Sequence, residues 1–173
     1  MTKFDDGIVQ GYIDHETKRV HFYGAWQAED WAHLAVFLPV VWRGLWGVHA
    51  GIAKLADGIM SKIVIPHGYT ISGHSMGGMI AVYVSWALKK QGKIHPVQTA
   101  GTPRCLWGPA AIQYRGFKIE SYAFSGDIVP HLVPRLFVWI RAGKLQVRKT
   151  DAVMPKAHEP SEYGQWLPWV NYP

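Results

Sequence analysis

From Met76 to Lys90 apolar side chains recur at helical spacing, with Met79, Ile80, Tyr83, Val84, Ala87 and Leu88 on one stripe, and the spacing predicts an α-helix. His49 to Ile63 predicts a second, because Ile52, Leu55, Ala56, Ile59, Met60 and Ile63 share a face. Gln27 to Phe37 predicts a third, ended by Pro39. The strand pattern covers Gly7 to Asp14 and Arg19 to Gly24 around a polar turn, then Tyr69 to Gly73, Ile94 to Ala100 and Phe117 to Phe124. Leu136 to Arg141 and Leu145 to Thr150 read as a hairpin around Ala142-Gly143-Lys144, and the Pro-rich tail holds a short helix from Pro160 to Leu167.

Strands and helices alternate through the middle of the chain. That order predicts an α/β fold, with a mostly parallel central sheet flanked by helices and antiparallel hairpins at the sheet edges. No repeat or linker interrupts it, and 173 residues suit one domain spanning 1–173. Hydrophobic residues at 49% and charged residues at 17% exclude general disorder. The formal charge of +6 raises nucleic acid as a partner, but no basic helix face or nucleic-acid motif is present, so the charge reads as a solvated surface with mild attraction to anionic interfaces. Cys105 stands alone, which excludes an internal disulfide and a thiolate metal site. No apolar stretch follows Met1-Thr2-Lys3, so the sequence reads as lacking a signal peptide, implying cytoplasmic synthesis or non-classical release. The run Trp31 to Trp42 is broken by Pro39 and is too short for a transmembrane segment.

The chemistry lies between the second strand group and the longest helix. Gly73-His74-Ser75-Met76-Gly77 has the Gly-x-Ser-x-Gly spacing of a nucleophile elbow, with a strand before it and a helix after it. So sharp a turn leaves no room for side chains two positions either side of the serine, and it lifts the hydroxyl above the strand's carboxyl end at a helix N-terminus. The alternative is an incidental turn. A serine nucleophile needs a base, and the base needs an orienting acid, in the chain order Ser, Asp or Glu, His for an α/β-hydrolase. Of the later histidines, His95 lies at the wrong end of its strand and His131 shares a loop with Asp127. His158 arrives from a separate segment and is the expected base. Asp127 follows the strand ending at Phe124 and is the expected acid, ahead of Asp151 and mid-strand Glu120. The backbone N–H groups of Met76 and Ala25 are the expected oxyanion hole.

The elbow and six further segments, in order, resemble the class 3 (fungal-type) lipase family. His21-Phe22-Tyr23-Gly24-Ala25 resembles its oxyanion segment, and Glu29-Asp30-Trp31 the Asp-Trp that follows. Val48-His49-Ala50-Gly51 resembles its Val-His-x-Gly, and Thr70 to Gly78 its elbow. Thr99 to Arg104 resembles its Phe-Gly-x-Pro-Arg, Gly126 to Pro130 its aspartate segment, and His158 with Tyr163 its late histidine region. The resemblance implies a Ser75–Asp127–His158 triad and hydrolysis of carboxylic esters in lipids or smaller esters, without metal or organic cofactor. Tyr23 replaces the family's Arg, and Ala25 its Thr or Ser, so the oxyanion would lose a hydroxyl donor. The family carries a mobile lid between the oxyanion segment and Val-His-x-Gly. Here that interval is apolar, and Trp26, Phe37, Leu38, Trp42 and Trp46 are expected to form a lid or substrate wall in transient contact with a lipid interface; ordinary core packing is the alternative. An acyltransferase or thioesterase on the same triad, or a non-catalytic lipid- or partner-binding module, are the competing functions.

Overall fold

A computed structural model describes residues 1–24, 38–131 and 139–171. Among these residues the strands form two sheets. The larger has the order β1 (Thr2–Asp5), β2 (Gln10–Asp14), β3 (Arg19–Phe22), β6 (Thr70–His74), β7 (Val97–Ala100), β9 (Ile119–Phe124) and β11 (Lys144–Arg148). From β3 to β11 the pairing is parallel, and β1 and β2 add antiparallel at one edge. This is the α/β arrangement expected, with β6 at its centre.

Helix α1 (Ala50–Met60) and helix α2 (Met76–Lys90) cover one face. Helix α2 is buried on every side from Met76 to Leu88, and only Lys89 and Lys90 at its end reach solvent. That burial explains why apolar residues spill beyond its predicted stripe: it lies between the large sheet and α1 rather than on the surface. Alternation along the strands sends Val20, Phe22, Ile71 and Val97 to this main core. On the opposite face Ala100 and Phe124 meet Tyr163, Leu167 and Val170 from the C-terminal segment, as a separate small cluster. Helix α4 (Pro160–Trp166) supplies Tyr163, close to the helix expected there.

Two segments fold differently from expectation. Pro39, expected to end a helix, opens β4 (Pro39–Trp42), which returns through β5 (Leu45–His49). The two-residue turn has φ of 48° at Arg43 and 75° at Gly44, the paired left-handed geometry that matches strand twist in a tight hairpin. An arginine at the first of these positions is a weak turn signal, and the hairpin is correspondingly hard to foresee. With β8 (Leu106–Trp107) and β10 (Trp139–Ile140) it makes the smaller antiparallel sheet, beside helix α3 (Gly108–Gln113). Trp42, expected in a lid, instead packs in the core against Tyr83 at 5.7 Å between ring centroids, and its Nε1 donates to Asp57 at 2.7 Å. Tyr83 fixes the smaller sheet to α2: its hydroxyl accepts from the His49 N–H and donates to the Cys105 carbonyl.

The second difference is at the C-terminal hairpin. Segments β10 and β11 do not pair with each other; β10 joins β8, and β11 extends the large sheet parallel to β9. Gly143 between them has φ of 76°, and a Cβ there would lie 2.7 Å from the Cβ of Ile119. The glycine therefore serves a close approach to β9 rather than a hairpin turn. The predicted helix Gln27 to Phe37 lies outside the described residues.

Candidate active site

Ser75 sits where β6 turns into α2, with φ of 54° and ψ of −124°. A serine with positive φ carries about 1–3 kcal/mol of backbone strain, held here by what surrounds it. The flanking glycines permit that turn. A Cβ on Gly73 would strike the backbone of Gly77, one on Gly77 the backbone of Phe22, and one on Gly78 the side chain of Thr102. The Ser75 N–H donates to the Ala100 carbonyl at 2.8 Å, which ties the turn to β7.

Asp127 follows β9 and is almost wholly buried, with its Oδ1 accepting from the Val129 N–H at 2.9 Å. His158 ends a short 3-10 turn, Lys156–His158, just before α4. Its Nδ1 lies 2.8 Å from Asp127 Oδ2 and its Nε2 2.9 Å from Ser75 Oγ. Because a carboxylate only accepts, Nδ1 carries the hydrogen and Nε2 is left to accept from the serine hydroxyl. The structure thus brings together the three side chains singled out for nucleophile, acid and base, from points 83 and 31 residues apart along the chain.

Tyr163 adds a contact that no local pattern announces. Its hydroxyl donates to Asp127 Oδ2 at 2.7 Å and accepts from the Phe124 N–H at 3.1 Å. Burial, with the Asp127 charge beside it, pushes its pKa far up, so it stays a donor. In the sequence only the likeness of His158 with Tyr163 to a late histidine region singled it out. Replacing Tyr163 by Phe leaves the Phe124 amide unsatisfied in the small cluster, and the expected loss is about 1–3 kcal/mol in urea unfolding. A loss below about 0.5 kcal/mol would show that water reaches the amide.

On the other side, Tyr23-Gly24 follows β3 and lies against the elbow. A Cβ on Gly24 would lie 3.1 Å from Ser75 Cβ and 3.3 Å from His74 Nδ1. Ala25, Trp26 and Phe37 lie outside the described residues, while Met76 is the first residue of α2, directly after Ser75. Leu38 and Trp46 are exposed, in the segment leading into β4 and in β5. The other candidates are elsewhere. His95 Nδ1 pairs with the Tyr69 carbonyl at 2.8 Å, at the far end of the sheet. His131 Nδ1 lies 3.3 Å from Arg104 Nη2. Glu120 accepts from Gln98 and Tyr122, and Asp151 is exposed in a loop.

Two further histidines are buried nearby. His21 lies 3.1 Å from Ser72 Oγ through Nδ1, and burial, reinforced by Arg19, lowers its pKa to about 3. Burial also drives the His74 pKa well down, with His158 and His21 adding to the effect. Unfolded, both would titrate near 6.5. Below that pH the unfolded chain therefore binds protons that the fold refuses, and stability falls with pH down to about 3. The urea midpoint is expected to drop from pH 7 to pH 5; a flat profile over that interval would contradict it.

Among the described residues no group of three or more His, Cys, Asp or Glu side chains is arranged to hold a metal ion. Nor is any described helix long and apolar enough to cross a membrane.

The sequence matches the family model "Lipase (class 3)" over residues 21–137. No curated protein matches it. Among solved structures, the chain is similar to the lipase from Rhizopus microsporus var. chinensis, with a TM-score of 0.71 and 21% identity over 88% of this chain and 62% of that one. Lipase II from Rhizopus niveus gives 0.69 and 20% over 86% of this chain and 66% of that one. The mono- and diacylglycerol lipase from Aspergillus oryzae gives 0.66 and 18% over 91% and 67%. At these identities the likeness to each solved structure is one of fold, and the chain spans less than two thirds of the two Rhizopus enzymes.

Proposed function

Because this chain belongs to the class 3 lipase family, we propose that it hydrolyses carboxylic esters, with Ser75 as nucleophile, His158 as general base and Asp127 as the group that orients the base. The observation that carries this is the unbroken relay from Ser75 Oγ through both ring nitrogens of His158 to Asp127, at 2.9 and 2.8 Å. Residues 1–173 act as one minimal domain in this proposal.

His158 Nε2 takes the Ser75 proton as Oγ attacks the ester carbonyl, and Asp127 stabilises the imidazolium that forms. The Met76 N–H, at the start of α2 where the helix dipole is positive, and the Ala25 N–H hold the oxyanion. His158 gives its proton to the leaving alcohol. It then takes one from water, whose oxygen attacks the acyl-serine, and returns that proton to Ser75 Oγ as the acid leaves. Tyr163 stays protonated and shares Asp127 with His158, so one carboxylate oxygen serves two donors. The remaining burden on the oxyanion falls on backbone donors, since Ala25 brings no hydroxyl. Losing one donor costs about 100-fold in related chemistry, so modest turnover is the expectation.

The substrate is an ester of a lipid or a smaller acid, and Leu38 and Trp46, exposed on the segment after residue 37, face solvent where a transient lipid contact would form. Fluorophosphonate labelling tests the proposal. Stoichiometric modification of Ser75 supports it, while inertness of the folded protein would favour a non-catalytic binding module. Products formed with water and with alcohol acceptors then separate a hydrolase from an acyltransferase.

A further inference from the structure

We propose that His74 and Gly101 form a slot that sets the ring plane of His158, making both positioning residues for the ester hydrolysis proposed above, on which this inference rests. His74 occupies the variable position of the elbow before Ser75 and is 2% exposed. Its ring lies 4.8 Å from that of His158 between centroids, tilted by 35°, and 5.3 Å from that of Tyr163. Its nitrogens make no hydrogen bond of good geometry, but the His158 backbone acts on the ring as a hydrogen-bond partner that raises its pKa against the effect of burial. Its ring-to-ring contact with the base is a flat surface against the imidazole.

Gly101 closes the slot from another side. It has φ of 58°, and a Cβ there would lie 3.0 Å from His158 Cε1 and 3.1 Å from both His158 Nδ1 and Asp127 Oδ2. Its N–H donates to the Tyr122 carbonyl at 3.0 Å, which anchors it to β9 and keeps it from moving aside. The Nδ1–Cε1 edge of the imidazole thus occupies space that any side chain at residue 101 would take, and His74 lies near its face. On its far side a Cβ at Gly24 would lie 3.3 Å from His74 Nδ1, so the glycine leaves room for the ring there.

The slot matters because His158 must satisfy two partners at once. A turn of the ring about its Cβ–Cγ bond moves Nδ1 off Asp127 and Nε2 off Ser75 together. Misplacement by about 1 Å costs about 100-fold in rate. A buried imidazole with a depressed pKa also stays neutral, so it adds no positive charge beside the imidazolium that forms on His158.

The test uses His74→Leu, His74→Phe and Gly101→Ala in the full chain, with folding checked by circular dichroism. His74→Leu is expected to lower kcat by about tenfold or more with KM within about twofold, Gly101→Ala by about 100-fold, and His74→Phe, which restores a flat ring, to bring kcat back to within about threefold of the native value. Should His74→Leu fail to fold, His74→Met takes its place. The His158 Nδ1–H proton, seen far downfield by NMR, gives a readout that needs no turnover: sharp in the native chain and His74→Phe, broadened or lost in the other two. A native kcat in folded His74→Leu, equal losses in the Leu and Phe variants, or a resonance equally sharp in all four proteins would each overturn the slot. Absence of ester turnover in the native chain, with the resonance following the expected order, would instead count against the hydrolase proposal and leave the slot standing.

Discussion

Ser75→Ala is expected to lower kcat/KM on short p-nitrophenyl esters by about 10⁴-fold or more, because removing the nucleophile from a unit that acts together forfeits nearly all that the unit supplies. Stability should scarcely move. Alanine inherits the same positive φ and the same glycine-lined turn, and the lost hydroxyl faces His158 at the site rather than the main core. The thermal midpoint is expected to stay within a few degrees. Retention of more than about a tenth of native activity in Ser75→Ala would remove Ser75 from the mechanism. Loss of activity with collapse of the fold would show instead that the hydroxyl is structural.

The second large effect separates two histidines. His158→Ala should cost about 10⁴-fold or more in kcat, whereas His131→Ala should cost less than about tenfold. The reason is reach. His158 touches Ser75 and Asp127 together, while His131 ends the turn Val129–His131 and faces Arg104. The two measurements are made on the same ester, with fluorophosphonate labelling alongside. A larger loss in His131→Ala would relocate the base and break the proposed relay.

Much of this architecture is legible in the sequence where the signal is local. Helix α2 announces itself by its period, and the elbow by glycines whose absence of side chains answers contacts within a few residues or across one strand. Asp127 could be placed because it follows a strand, and His158 because it comes last. What is hidden is non-local. Strand β1 is nearly all exposed and has no amphipathic signal beyond Phe4, which packs on Phe22. The short β8 and α3 are too brief to carry a period. Pairing of β11 with β9 instead of β10 depends on a glycine fitting against Ile119, 24 residues earlier in sequence. The same holds for Trp42, where an apolar residue suited either a lid or a core until Tyr83 and Asp57 supplied its neighbours. At the site, the Tyr163–Asp127 bond and the room that Gly101 leaves for His158 join residues that no window of sequence contains.

His158 and Tyr163 belong to a stretch of chain that meets the sheet through a satellite patch, five buried residues among those described, apart from the large core beneath the other face. Such a patch can let go on its own, since local opening is governed by the few apolar contacts that must be broken. The protein should therefore fall silent in mild denaturant while α2 and the central strands are still intact. Loss of the proposed activity would lead the global transition, and refolding of the last segment alone would restore it.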